Sequence, residues 1–182
     1  MILITGAELY DGRREDVFVR DGVFADPAEA PADVERIDAD GKVLLPGLVD
    51  IHVHLREPGR EDAETIATGT RAAARGGFTA VCAMANTNPV TDTAEAAAHV
   101  AAIAAREASC EVRPIGAITK GLAGQELAEL GLMARPAEHH PGVRFFSDDG
   151  KCVQDALVMR RAFEYAKRLD AVLAQHAQDS SL

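Results

Sequence analysis

The sequence is poor in cysteine, in basic charge and in long apolar runs. Its 3 cysteines, Cys82, Cys110 and Cys152, are widely spaced and form no C-x-x-C pair. That pattern excludes a disulfide framework and a thiolate zinc knot, and fits reduced thiols. Cys82 and Cys110 read as small buried hydrophobes. Lys and Arg number 19 against 29 Asp and Glu, a formal net charge of −10, so no extended basic surface is offered to nucleic acid or anionic lipid. The expected ligand is a small molecule. The longest apolar run, residues 96–105, is interrupted by His99 and falls far short of the roughly 20 residues of a bilayer-spanning helix. The N-terminus, Met-Ile-Leu-Ile-Thr-Gly, lacks a basic segment followed by a long apolar stretch and a small-residue cleavage site. It is therefore not a secretory signal, and the reading is of a cytoplasmic chain with no membrane partner.

What is present is ordinary globular composition: 182 residues, 47% hydrophobic and 26% charged, with 15 Gly and 8 Pro, enough to fold around a core. In residues 1–46, Asp11-Gly12, Asp21-Gly22 and Asp40-Gly41 punctuate short apolar segments at 2–4, 17–20 and 43–45, which predicts a small antiparallel β module. The Pro- and Ala-rich stretch 25–33 reads as a surface loop. From residue 47 the texture changes to βα units around a parallel sheet. Strands are predicted at 48–54, 78–84, 112–119, 143–147 and 171–176, and helices at 62–75, 93–108, 125–132 and 155–169. Gly76-Gly77 ends the first helix, and Thr93 or Asp92 caps the second. No Gly-x-Gly-x-x-Gly follows the first strand, so a TIM-type (β/α) barrel fits better than a doubly wound dinucleotide fold. A complete barrel takes about 250 residues. The expected architecture is thus the first part of a barrel over 47–182, truncated after its fifth strand.

Both open-sheet and barrel versions of this pattern place functional groups at the C-terminal ends of strands. His52 and His54 stand two apart at the end of the first such strand, where the period of two points both imidazoles to one face. That is a chelating geometry for zinc or a similar divalent ion, although two hydrogen-bonded histidines would leave the same trace. The fourth strand runs into Asp148-Asp149-Gly150 and the fifth ends in His176, bringing a carboxylate and a third imidazole to the same rim. Each alone reads as a turn or a core residue, but the coincidence of three strand ends favours a metal. Arg56 shares the parity of His54 and can grip a carboxylate through two parallel hydrogen bonds. Asn86 follows the second strand and can add donors to a bound anion. Lys120, at the end of the third strand, competes with Asp149 as a carbamylated bridging ligand, and Asp149 is preferred. His99, His139 and His140 are read as structural.

The string His52-Val53-His54-Leu55-Arg56-Glu57-Pro58-Gly59, with Gly76-Gly77-Phe78-Thr79, the Asn86-Thr87-Asn88-Pro89 loop and Phe146-Ser147-Asp148-Asp149-Gly150, resembles the bacterial dihydroorotases of the amidohydrolase superfamily. The resemblance spans essentially the whole chain. It implies a metal-dependent barrel beside a small β domain, and the reversible cyclisation of N-carbamoyl-L-aspartate to dihydroorotate in pyrimidine synthesis. By motif matching, His52 and His54 hold one zinc, Asp149 bridges it to a second, and His176 binds that second ion. Arg56, Asn86 and the backbone beside His54 hold the substrate carboxylate. The same resemblance places the proton-transferring aspartate and a further histidine ligand beyond residue 182. Ala85 stands where the family usually has proline. The alternatives are a hydantoinase or allantoinase, against which Arg56 argues by favouring an acidic substrate, and a noncatalytic scaffold for aspartate carbamoyltransferase, against which four retained ligands argue. An open half-barrel exposes its first and fifth strand edges and apolar surface, which invites association, for example as a homodimer.

Overall fold

The computed structural model describes residues 1–179. It divides into two compact units, Met1–Pro46 and Gly47–Leu182, and residues 180–182 lie outside the described residues.

The first unit is a five-stranded sheet built on β1 (Ile2–Leu9), flanked by β2 (Arg14–Arg20) and β4 (Glu35–Asp38), with β3 (Val23–Ala25) outside β2 and β5 (Val43–Leu44) beside the end of β1. The Asp-Gly turns produce the expected antiparallel β1–β2 and β2–β3 pairs. The module is not wholly antiparallel, however, because β4 and β5 run parallel to β1. The stretch predicted as a plain loop carries a 3-10 turn at Pro27–Glu29, capped by the Asp26 side chain on Ala28 N at 2.9 Å. It returns the chain across the sheet, so β4 enters in the same direction as β1. Leu3, Phe18 and Val34 form the apolar centre of this unit.

The second unit carries the parallel strands β6 (Leu48–Val53), β7 (Phe78–Ala83), β8 (Glu111–Pro114), β9 (Phe145–Phe146) and β10 (Val172–Leu173). β6, β7 and β8 pair in sequence order, as do β9 and β10. The two ladders are joined by a parallel bridge between Gly116 and Phe146. Helices α1 (Ile66–Arg75), α2 (Ala94–Glu107), α3 (Leu130–Met133) and α4 (Ala156–Arg168) intervene. One apolar cluster gathers Leu55, Ile66, Val81, Val100 and Val112. A larger one gathers Ile118, Leu130, Met133, Phe146 and Ala162. No helix among the described residues is long and apolar enough to cross a membrane.

Helix starts follow their caps. Predicted from residue 62, α1 begins only after Thr65, which forms a reciprocal capping box with Thr68; Ala63 N and Glu64 N are taken by a turn back to Arg60 O. Ile66 N is also capped by Glu57 Oε2 at 2.7 Å, which ties the start of α1 to the loop after β6. Thr93 and Asp155 cap α2 and α4. The helix predicted at 125–132 is a single turn, because residues 126–128 are drawn into extended pairing with 118–120. Ala128 N donates to Ile118 O and Lys120 N to Glu126 O, both at 2.9 Å. The same pairing shortens the strand predicted to 119.

Strand registration at the site depends on a missing side chain. Gly116 N donates to Phe145 O at 3.1 Å, and Ser147 N donates to Gly116 O at 2.9 Å. A Cβ on Gly116 would stand 2.7 Å from the Phe146 ring and 2.9 Å from Met133 Sδ, both buried. Gly116→Ala is expected to lower stability by about 1–3 kcal/mol through overpacking, read as a fall in the midpoint of chemical denaturation.

Candidate metal centre

Because the strands of the second unit are parallel, their C-terminal ends share one rim. His54 directly follows β6, and Asn86, Asp149 and His176 each stand three residues beyond the last residue of β7, β9 and β10. The ladder continues past the regular strands, with Met84 N on Val53 O, Ile115 N on Ala83 O and Ala174 N on Phe146 O, each at 2.9 Å. It thereby carries these residues to a common level.

Asp149 is the hub. Its Oδ1 lies 3.4 Å from His52 Nε2 and 3.5 Å from His176 Nδ1, and its Oδ2 lies 3.4 Å from His54 Nε2. Asn86 Nδ2 donates to the same Oδ2 at 3.3 Å, while Asn86 Oδ1 faces His54 Nδ1 at 3.0 Å. The His52 and His54 rings meet edge to face with centroids 5.2 Å apart, as two side chains on one face of a strand should. One donor atom from each of His52, His54 and Asp149 lies within 4.8 Å of the others; His176 is outside that group and reaches it through Asp149.

The distances and donor types suit a divalent ion. Hydrogen bonds from ring N–H to carboxylate centre near 2.9 Å, and the three imidazole–carboxylate separations are longer than that. Ligands at ~2.0–2.1 Å around a tetrahedral centre stand about 3.3–3.4 Å apart, which matches the observed spacing. Imidazole and carboxylate are also the borderline and hard donors such ions take. Asp149 is 8% exposed, whereas the side chains of His52, His54 and His176 are 52%, 29% and 35% exposed. The centre therefore has a buried acidic floor and an open imidazole mouth.

The neighbouring Asp148 is taken by the fold. It is 1% exposed, and its carboxylate accepts from Ile118 N at 2.7 Å, Thr119 N at 3.0 Å and the Thr119 hydroxyl. Lys120 is turned away into an ion pair with Glu126 at 2.7 Å, and that carboxylate raises its pKa. Arg56 adopts a left-handed backbone, φ 61°, two residues after His54, and its carbonyl accepts from Arg60 N at 2.9 Å. No hydrogen bond or ion pair joins its guanidinium to another described residue. Cys152 Sγ accepts from Gln175 Nε2 at 3.2 Å, which links the loop after β9 to the residue before His176. Cys82 and Cys110 are half-buried rather than buried, with thiol pKa values pushed up by desolvation. His140 is buried, with its Nδ1 accepting from Gly142 N at 3.1 Å, and burial lowers its pKa.

Two links escape a reading of the sequence alone: Asn86 to both His54 and Asp149, and Asp148 to the 118–119 backbone. The only signal for the first was the position of Asn86 at a strand end. The second had none, because a turn aspartate and a buried acceptor look alike in a sequence.

Comparison with known proteins completes the picture. Residues 41–182 match the model of the dihydro-orotase-like family. The chain belongs to that family. It is 54% identical over 183 residues to a dihydroorotase of Streptomyces coelicolor, covering 99% of this chain and 42% of the relative. It is 52% identical over 185 residues to a dihydroorotase of Mycobacterium tuberculosis, covering 100% and 42%. The chain thus spans about two fifths of the length of the curated relatives it matches. Among solved structures, the L-hydantoinase (dihydropyrimidinase) of Arthrobacter aurescens superposes with a TM-score of 0.80 at 22% identity, over 99% of this chain and 41% of that one. A D-hydantoinase of Bacillus sp. AR9 does so with 0.73 at 22% identity, over 100% and 41%. These likenesses establish the fold as mixed α/β with a small sheet module.

Proposed function

We propose that this chain supplies the strand-end metal centre of a zinc-dependent dihydroorotase that interconverts N-carbamoyl-L-aspartate and dihydroorotate. The observation that carries the reading is Asp149, a nearly buried carboxylate with three imidazole nitrogens, from the end of β6 and from beyond β10, at 3.4–3.5 Å. Family membership narrows the chemistry to cyclic amides.

In this reading His52, His54 and Asp149 would hold one zinc, and Asp149 with His176 would hold a second. Bound there, zinc polarises an amide carbonyl and lowers the pKa of water towards neutrality. The chain's own residues select and orient the substrate. Arg56, whose guanidinium has no described partner, takes the substrate carboxylate through paired N–H donors. Asn86 commits one Nδ2 proton to Asp149 and its oxygen to His54, which leaves a second N–H for the same carboxylate. Such a pair selects an acidic ring over a neutral one, because an unmatched guanidinium or amide loses its hydrogen bonds.

The architecture we assign is the first part of a (β/α) barrel. Parallel strands are ordinarily covered on both faces, yet Val49 and Ile51 on β6 are 57% and 60% exposed, and Val172 on β10 is 56% exposed. All three lie on edge strands of the parallel ladders, where further βα units would cover them.

The test is the zinc content of this chain after dialysis, together with turnover of dihydroorotate, hydantoin and allantoin by the full-length protein that contains it. Retained zinc and turnover of dihydroorotate alone support the proposal. Failure to hold zinc overturns the metal centre, and turnover of hydantoin without dihydroorotate overturns the substrate.

A further inference from the structure

Asp149, Asn86 and His54 form a closed set of donors and acceptors whose proton positions are determined by chemistry. An ionised carboxylate only accepts hydrogen bonds, so the side of the Asn86 amide that faces Asp149 Oδ2 at 3.3 Å has to be Nδ2. With the amide reversed, two oxygens would confront each other. Its Oδ1 is therefore turned to His54 Nδ1, 3.0 Å away. That oxygen has no proton to give, so the ring nitrogen facing it carries the hydrogen. In a neutral imidazole the other nitrogen, Nε2, then bears a lone pair. This nitrogen faces Asp149 Oδ2 at 3.4 Å, so two acceptors oppose each other with no proton between them.

We infer that Asn86 is a positioning residue that locks His54 in its Nδ1–H tautomer and aims the Nε2 lone pair at the space beside Asp149. For a neutral ring beside an ionised carboxylate, the tautomer follows from the hydrogen bonds. Its consequence, a ligand atom prepared for a cation that relieves the lone-pair opposition, rests on the metal reading above. One amide thereby couples two ligands from different strands: it holds the carboxylate through Nδ2 and the imidazole through Oδ1. Partners of this kind orient metal-binding histidines and raise their basicity, and their loss commonly weakens metal binding about 10–100-fold. This role is separate from the contact of the remaining Asn86 N–H with substrate.

The experiment is long-range 1H–15N correlation NMR of the metal-free chain, about two pH units above the ordinary histidine pKa of ~6.5, with His54 assigned by comparison with His54→Gln. Zinc affinity is measured in parallel by chelator competition. The wild-type chain is expected to show the Nδ1–H pattern at His54. Asn86→Ala should move it towards a mixture of tautomers and weaken zinc binding about 10–100-fold. Asn86→Asp keeps an acceptor for Nδ1–H but turns a carboxylate oxygen towards Asp149 Oδ2, so it should keep a proton on His54 Nδ1 and lose the contact with Asp149. A His54 pattern unmoved by Asn86→Ala, or an Nε2–H pattern in the wild type, overturns the inference whatever the zinc affinity does. A wild-type chain that holds no zinc yet shows the expected tautomer change overturns the metal reading and leaves the Asn86 assignment standing.

Discussion

Asp149→Ala is expected to abolish useful zinc binding, lowering affinity by at least about 100-fold, more than the loss of an outer hydrogen-bond partner costs. Each imidazole nitrogen of the site is measured against this one carboxylate, with His52 and His176 on Oδ1 and His54 on Oδ2. Without it the His52–His54 pair and His176 remain at the ends of two separate strands, with no shared acidic ligand. The fold should be nearly indifferent. Asp149 is itself buried, but its imidazole partners are open to water and can turn to it when the carboxylate is lost, so the change resembles loss of an exposed pair, worth only about 0–1 kcal/mol. Asn86 loses one acceptor at a half-exposed position. Zinc titration by calorimetry and chemical denaturation of the same sample separate the two effects. Zinc affinity within about tenfold of wild type would show that the carboxylate is not the hub.

How much of this was legible beforehand depended on whether a signal was local. A strand's period of two is local, so His52 and His54 could be placed on one face from their spacing alone, and the rings do lie edge to face. The βα alternation is nearly local, and all five parallel strands occur where alternating apolar runs predicted them, though two are only two residues long. Caps were readable for the same reason: Thr93 starts α2 because its hydroxyl accepts from Ala96 N, three residues on, at 3.2 Å. Where a remote partner competed, the local reading failed. Residues 125–132 satisfy a helical pattern, yet Ile118 and Lys120 claim their backbone groups. The strand β4, Glu-Arg-Ile-Asp and exposed throughout, carries no apolar run to predict it, and a single sequence does not show which side of β1 the returning chain will take.

The two adjacent aspartates illustrate the same limit and give opposite expectations. Asp148→Ala should lower stability by about 3–5 kcal/mol, the cost of removing one side of a buried charged hydrogen-bond set. Its carboxylate sits 1% exposed and satisfies two backbone N–H groups, of Ile118 and Thr119, and one hydroxyl. Alanine would leave both N–H groups and the hydroxyl proton buried without an acceptor. Asp148→Asn should lose less, roughly 1–2 kcal/mol. The amide oxygen still accepts from both backbone groups, but the amide nitrogen can only donate to the Thr119 hydroxyl, which already accepts from Gly124 N at 2.9 Å and whose own proton then loses its acceptor. Stability in chemical denaturation should therefore fall from wild type to Asp148→Asn and again to Asp148→Ala, with Asp149→Ala close to wild type. Asp148 also fixes the backbone on which Asp149 is carried, so Asp148→Asn should bind zinc more weakly although it alters no ligand. An Asp148→Ala chain as stable as wild type would mean that the 118–119 segment is held by something other than this carboxylate.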